Sequence, residues 1–460
     1  MNPLGTVHSR FIIRTHVSVM LVRTTASAPP SRAAPRRALI AIALAAICAA
    51  SVAHAQQPGF TLADAAAIAR RQHPLLTAAG GRRQVVTGIA RQESALPNPV
   101  FEWRKENLQS TLNRDEFVSV GLPVDLYGRR MALRSASALV ASRSRSDSST
   151  TARDVEYDVA RAYWRAALAF SLYDATVAQR LAFDTIARIE TDRARQGQVP
   201  NVSAMRARLE ADRARLAQLG ARAELERARG DLARALAIPF DSVPRPTEPL
   251  QVDSSTTVLP MLDALLTLAR AQRSELLAAR ARVDETSRRR RAERLGTLPA
   301  VGVQVGNRWS SGVLTNTVQV GVALPFFDRN GGNRERARGE QLIAEGDLRA
   351  AQSAVDAQVM SAYRAYRVLI EAYDRTADAG FGAEGLGALA VRGSEVAVIS
   401  GVAYREGAIP LFELLDAERV RADVRSAALR AAADVHMARA DLLRALGLPI
   451  DGIRFQLMMQ

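Results

Sequence analysis

The sequence predicts a mostly α protein with a small β part, built as two structural repeats of long helical hairpins with two strands each. Three observations carry this. The chain repeats itself at a nearly constant offset. It holds a stretch, residues 129–196, with neither Gly nor Pro. Its alternating apolar segments are few and short.

The repeat is read from ordered matches. At an offset of 200, Leu62, Ala69, Arg70, Gln72, Leu76 and Ala79 face Leu262, Ala269, Arg270, Gln272, Leu276 and Ala279. Leu122-Pro123 recurs as Leu324-Pro325. At an offset of 210, Arg195, Gly197, Val199 and Pro200 recur as Arg405, Gly407, Ile409 and Pro410. At the same offset Ala228, Arg229, Asp231, Leu232 and Pro239 recur as Ala438, Arg439, Asp441, Leu442 and Pro449. Shared Ala-rich composition does not keep Gly, Pro and Asp in one order.

The first repeat spans residues 56–250 and the second 251–460. Each begins with a helix, at about 61–95 and 259–296. Strands follow at about 99–108 and 115–124, and again at about 299–309 and 316–325. A helix over 129–196 would span roughly 100 Å and must pack on neighbours. Tip hairpins are expected at about 195–203 and 404–413. In each, Gly suits the left-handed end of one helix and Pro the first turn of the next. The glycines Gly380, Gly382, Gly385 and Gly387 read either as an interruption of the second long helix by a small belt element or as a flexible loop of no consequence.

The strands alternate with period two. Val118, Val120 and Leu122 share one face, with Ser119 and Gly121 on the other. Val301, Val303 and Val305, and Val318, Val320 and Val322, repeat the pattern. Each segment approaches the ~9–11 residues of a tilted membrane strand. Trp103 and Trp309 stand near strand ends, where interfacial aromatics belong. Four strands cannot close a barrel, and open edges are not tolerated in lipid, so a membrane reading requires several chains.

Arg36-Arg37, the apolar run Ala38 to Ala53 and Ala53-His54-Ala55 read as a signal peptide over residues 1–55, within which Met20 offers a shorter start. Cys48, the only cysteine, lies in that run, so the mature chain is expected to hold no disulfide. The net charge of +15 falls to +9 without residues 1–55, which hold six Arg and no acid. The remaining Arg alternate with Asp and Glu as on a solvated helix face, so no nucleic-acid partner is expected. No phosphate loop, nucleophile elbow or catalytic acid pair is found, and the chain is expected not to be an enzyme. No cofactor and no metal site is expected, because His73 and His436 lie far apart.

The chain resembles the TolC-like outer-membrane efflux proteins. The resemblance rests on Thr61-Leu62 to Pro74-Leu75, on Leu96-Pro97-Asn98-Pro99, and on the doubled hairpins with Gly197 and Gly407. Leu324-Pro325-Phe326-Phe327-Asp328-Arg329-Asn330-Gly331-Gly332-Asn333 resembles the cobalt–zinc–cadmium, or heavy-metal, branch. It implies a homotrimer in the outer membrane, with a 12-stranded β-barrel on an α-helical periplasmic tunnel. It also implies a periplasmic adaptor (membrane fusion) protein, an inner-membrane proton-driven pump and outer-membrane lipid as partners. The competing reading is a soluble periplasmic coiled-coil scaffold or pump adaptor.

The resemblance also implies site residues. Glu413 and Asp416, three apart on one helix face, match an acidic constriction at the pore gate, and Tyr404 matches a tyrosine that holds the closed state. Ser203 occupies the position of its usual acidic partner, so no charged tether is expected. Ile409 replaces a tip arginine. Gly197, Val199, Gly407 and Ile409 are the candidate adaptor-docking tips. Phe326 to Asn330 reads either as an anchor at the membrane boundary or as turn and cap residues.

Overall fold

The computed structural model describes residues 60–106, 115–252, 260–374 and 385–450. In chain order the elements are α1 (Leu62–Gln72), α2 (Pro74–Ser94), β1 (Val100–Glu106), β2 (Asp115–Val124), α3 (Arg129–Arg195) and α4 (Asn201–Leu236). After a short 3-10 turn come α5 (Leu262–Gln272), α6 (Ser274–Leu295), β3 (Ala300–Ser310), β4 (Val313–Ala323), α7 (Gly331–Asp374), α8 (Leu386–Arg405) and α9 (Leu411–Leu446). The expected signal peptide, Cys48, Gly380 and Gly382 lie outside the described residues.

Thr61 starts α1 with a capping box. The Asp64 amide donates to Thr61 Oγ1 at 3.2 Å, and the Thr61 amide donates to Asp64 Oδ2 at 3.0 Å. The helix stops at His73, which Pro74 holds in an extended conformation. The second half breaks at the matching place without a proline, at Arg273. There the buried guanidinium donates to the carbonyls of Arg444 and Ala445 at 2.9 and 3.1 Å and to Gln358 Oε1 at 2.9 Å. The single helices expected over 61–95 and 259–296 are therefore two helices each. A proline explains the first break, and a buried cation anchored on the end of α9 explains the second. Arg70 and Arg270 pair alike in the two halves, with Glu156 at 2.5 Å and Asp356 at 2.7 Å.

The 67 residues of α3 form one helix, which packs on α2, α4, α6 and α9. Alanine makes this close packing possible. Ala160, Ala166 and Ala207 are fully buried where helices meet, between larger anchors such as Tyr163, Phe183, Leu232, Leu276 and Leu446. In the second half the corresponding long helix is divided into α7 and α8.

The strands form one antiparallel sheet in the order β1-β2-β3-β4. β4 begins at Val313, earlier than the expected 316, because Ser311 and Gly312 take positive φ (50° and 83°) and turn the chain in two residues. Its last residue is Ala323, so Leu324-Pro325 lies beyond it. A β-carbon on Gly306 would stand 2.2 Å from the Val118 carbonyl oxygen, so only glycine allows β2 and β3 to approach here.

Candidate functional site

Residues opposite one another across the sheet share a face. The rows Phe101–Val120–Val305–Val318, Leu122–Val303–Val320 and Val124–Val301–Val322 put apolar side chains on one face of all the strands they cross. Val318 is 72% exposed and Phe101 67%. Trp103 lies on the same face, and its indole N–H donates to Glu116 Oε1 at 2.6 Å. The other face is polar. Gln304 Nε2 donates to Glu102 Oε2 at 2.8 Å, Arg308 pairs with Asp115 at 2.6 Å, and Phe117 lies between the guanidinium groups of Arg104 and Arg308 at 4.6 and 5.3 Å. A contiguous bare apolar surface of this kind marks an interaction or lipid-facing region. The outer edges of β1 and β4 are unpaired among the described residues.

At the opposite end the chain makes two tips with the same backbone. After α3, the Gly197 and Gln198 amides donate to the carbonyls of Ala194 and Arg193 at 3.0 and 2.9 Å. After α8, the Gly407 and Ala408 amides donate to Tyr404 and Ala403 at 3.1 and 2.8 Å. Gly197 and Gly407 take φ of 74° and 75°, the left-handed geometry of a Schellman end. Pro200 and Pro410 then start α4 and α9. Both glycines are exposed, and Val199 and Ile409 are half-buried beside them. Phe183, Ala187, Ala207, Ala211 and Leu415 pack α9 onto α3 and α4.

Glu413 and Asp416 are exposed on one face of α9, while Leu414 and Leu415 between them are buried. Ser203 and Arg206 hold the equivalent places on α4. The structure corrects the expectation that Tyr404 lacks a charged tether. Its hydroxyl donates to Glu190 Oε1, and Arg193 Nη1 donates to the same hydroxyl at 3.0 Å. The tether comes from α3 rather than from the position of Ser203. Burial, with the Glu190 carboxyl beside it, pushes the Tyr404 phenol up to about 12. Glu190 is 1% exposed, and its second oxygen has no hydrogen-bond partner. A second link runs from α9 to α4, where Arg419 pairs with the buried Glu210 at 2.6 Å.

Sequence reasoning missed Glu190, Arg193 and Glu210. The signal for Glu190 was present: it follows Phe183 and Ala187 at helical spacing on the buried stripe of α3. Among the described residues no group of three His, Cys, Asp or Glu is placed to hold a metal. His73 Nδ1 accepts from the Leu75 amide at 3.3 Å. His436 stacks on Trp164 at 3.9 Å, and burial pushes its imidazole down to about 4.

The family profile described as outer membrane efflux protein matches residues 265–379. No curated protein matches the chain. Among solved structures, the open state of the Neisseria gonorrhoeae MtrE outer membrane channel is 20% identical, with TM-score 0.68 over 85% of this chain and 89% of that one. The outer membrane protein VceC from Vibrio cholerae is 16% identical, with TM-score 0.68 over 85% and 96%. A membrane protein from Pseudomonas aeruginosa is 18% identical, with TM-score 0.67 over 84% and 90%. The chain therefore shares the fold of these membrane proteins along most of its length, and its 265–379 segment carries the sequence pattern of outer membrane efflux proteins.

Proposed function

We propose that the chain is an outer-membrane exit duct of a tripartite efflux pump, working as a homotrimer and doing no bond chemistry. The observation that carries this is the sheet. It has one bare apolar face, one polar face and two open edges, which fits four strands of a shared barrel whose outside meets lipid and whose inside meets water. Three copies supply twelve strands. The helices then form the periplasmic tunnel, and the exposed apolar residues of α8, Val391, Val398 and Ile399, fit against a neighbouring copy.

In this reading Glu413 and Asp416 form stacked acidic rings that favour cations. Tyr404 ties the second tip to α3 in the closed state. Gly197, Val199, Gly407 and Ile409 form the knobs that meet the adaptor, which in turn joins the inner-membrane pump. Heavy-metal cations are the proposed cargo, on the resemblance of residues 324–333 to that branch. The N-terminal segment directs export.

Cell fractionation tests the location: the protein is expected in the outer membrane, and recovery in soluble periplasm rejects the duct. For the gate, Glu413→Ala with Asp416→Ala is expected to lower cation over anion permeability several-fold, read as reversal potential across planar bilayers. An unchanged ratio rejects the acidic rings.

A further inference from the structure

The boundary between sheet and helices carries charge that neither the sheet nor the gate uses. Four helix ends meet there, the C-terminal ends of α2 and α6 and the N-terminal ends of α3 and α7. They are tied around Glu293, which pairs with Arg129 at 3.7 Å and accepts from Asn330 Nδ2 at 2.9 Å. Residues 88–99, 125–134, 288–299 and 324–338 hold thirteen arginines and five acids. Four of those acids are already engaged. Asp125 caps α3 through the Arg129 and Arg130 amides at 3.1 and 2.7 Å, and Glu93 pairs with Arg289 at 2.7 Å. Asp328 accepts from the Asn330 amide at 2.8 Å, and Glu293 is held as above. By contrast Arg130, Arg134, Arg291, Arg294, Arg329 and Arg334 have no carboxylate in ion-pair distance among the described residues, and all but Arg130 are exposed. Arg291 and Arg294 share one face of α6, three residues apart.

What lies next to these cations indicates their ligand. The apolar face of the sheet ends at Val124, Val301 and Val322. Immediately beyond stand Leu126, Leu324, Phe326 and Phe327, with Phe327 fully exposed. A recess of about 470 Å³ is lined by Leu96, Leu133 and Leu298 together with Arg129 and Arg130, and by Glu93 and Asp125, which are engaged as above. Apolar surface, then aromatic rings, then unpaired arginines is the order in which a bilayer presents acyl chain, interface and phosphate.

We propose that this arginine collar binds anionic phospholipid headgroups of the leaflet that faces the helices, with the recess seating a headgroup and the start of its chain. This rests on the membrane reading of the sheet. Each arginine near an anionic surface is worth roughly a fivefold gain in partitioning, so the collar is selective as well as adhesive.

The test reconstitutes the full chain into vesicles of phosphatidylcholine and phosphatidylglycerol, re-extracts it in neutral detergent and measures the lipid it retains. The wild-type protein is expected to retain phosphatidylglycerol enriched at least fivefold over the bulk ratio, with the enrichment falling in molar salt. Replacing Arg291→Gln, Arg294→Gln and Arg334→Gln is expected to return the retained lipid to the bulk ratio. Replacing the remote Arg195→Gln, Arg222→Gln and Arg227→Gln leaves the enrichment intact. Bulk-ratio lipid on the wild type overturns the proposal even if the triple variant does not fold. Undiminished enrichment on the folded variant, with an altered reversal potential, also overturns it by assigning the arginines to the lumen. Failure to insert into either vesicle rejects the membrane reading beneath it.

Discussion

The two tips of the molecule have one backbone and two chemistries. Gly197 and Gly407, with the prolines that follow, close the same turn with the same hydrogen bonds. The side chains around them differ. The first tip presents Ser203 and Arg206, and the second presents Glu413 and Asp416. The first supplies the buried acid Glu190 and the second supplies Tyr404, which donates to it. Turn geometry is thus fixed by two residue types at two positions, and charge is free to diverge around it. A duplicated hairpin can keep its shape while the side chains of its two copies diverge in charge.

Five substitutions, at three places, probe that division. The largest effect is expected at the tether. Glu190→Ala removes a carboxyl that Tyr404 and Arg193 share, and Tyr404→Phe leaves that carboxyl with a poorer set of donors. Losing a buried hydrogen-bond partner costs about 1–3 kcal/mol. The two variants are expected to lower the urea midpoint alike and to raise resting conductance in planar bilayers. In the double variant the losses are expected not to add, and full additivity would break the tether. Because the phenol lies near about 12, the tyrosine keeps its proton throughout the neutral range.

Next come the turns. Gly197→Ala and Gly407→Ala each place a β-carbon in the left-handed region, at about 1–2 kcal/mol. Calorimetry is expected to find the two costs equal within error. A large inequality would mean that the tips are not equivalent even in backbone.

The smallest effect is expected at Glu210. The hydrogen bond from Arg419 is the main reason its carboxyl is held below its ordinary value of 4.5, against the opposing effect of burial. Its folded-state pKa is lowered, so its contribution is present above that ordinary value and fades as pH falls through the lowered one. Arg419 is 38% exposed, so solvent screening keeps the pair below about 1 kcal/mol. Glu210→Gln is expected to lower neutral stability by less than about 1 kcal/mol, to leave stability in acid unchanged, and so to flatten the acid limb of a stability–pH curve slightly.

Much of the frame was legible because it rests on residues with strong local rules. The absence of Gly and Pro over 129–196 gave α3, and the valine alternation gave both faces of the sheet. Gly with Pro gave both tips. What the sequence concealed depends on contacts between distant positions. The break at Arg273 has no proline to announce it and exists because the end of α9, some 170 residues later, receives the guanidinium. Ser203 stands where the resemblance puts an acidic partner for Tyr404, so the local sequence shows no tether. The acid of Tyr404 lies on a neighbouring helix, where only packing brings it close. The early start of β4 follows from Ser311, a residue type that seldom takes positive φ.

The central seam of the sheet joins the two halves of the chain: Asp115 pairs with Ser310 and Val124 with Val301. Its consequence is a matter of timing. The β1–β2 hairpin is complete early in the chain, yet its inner edge has no partner until almost two hundred further residues have been supplied. Loop closure over such a span is entropically unfavourable and slow. Until α3 and α6 come together and bring the strand ends into register, β2 is an exposed apolar edge open to the wrong partner. The helical frame is therefore also the folding template of the sheet, and a chain halted before β3 is expected to aggregate rather than wait.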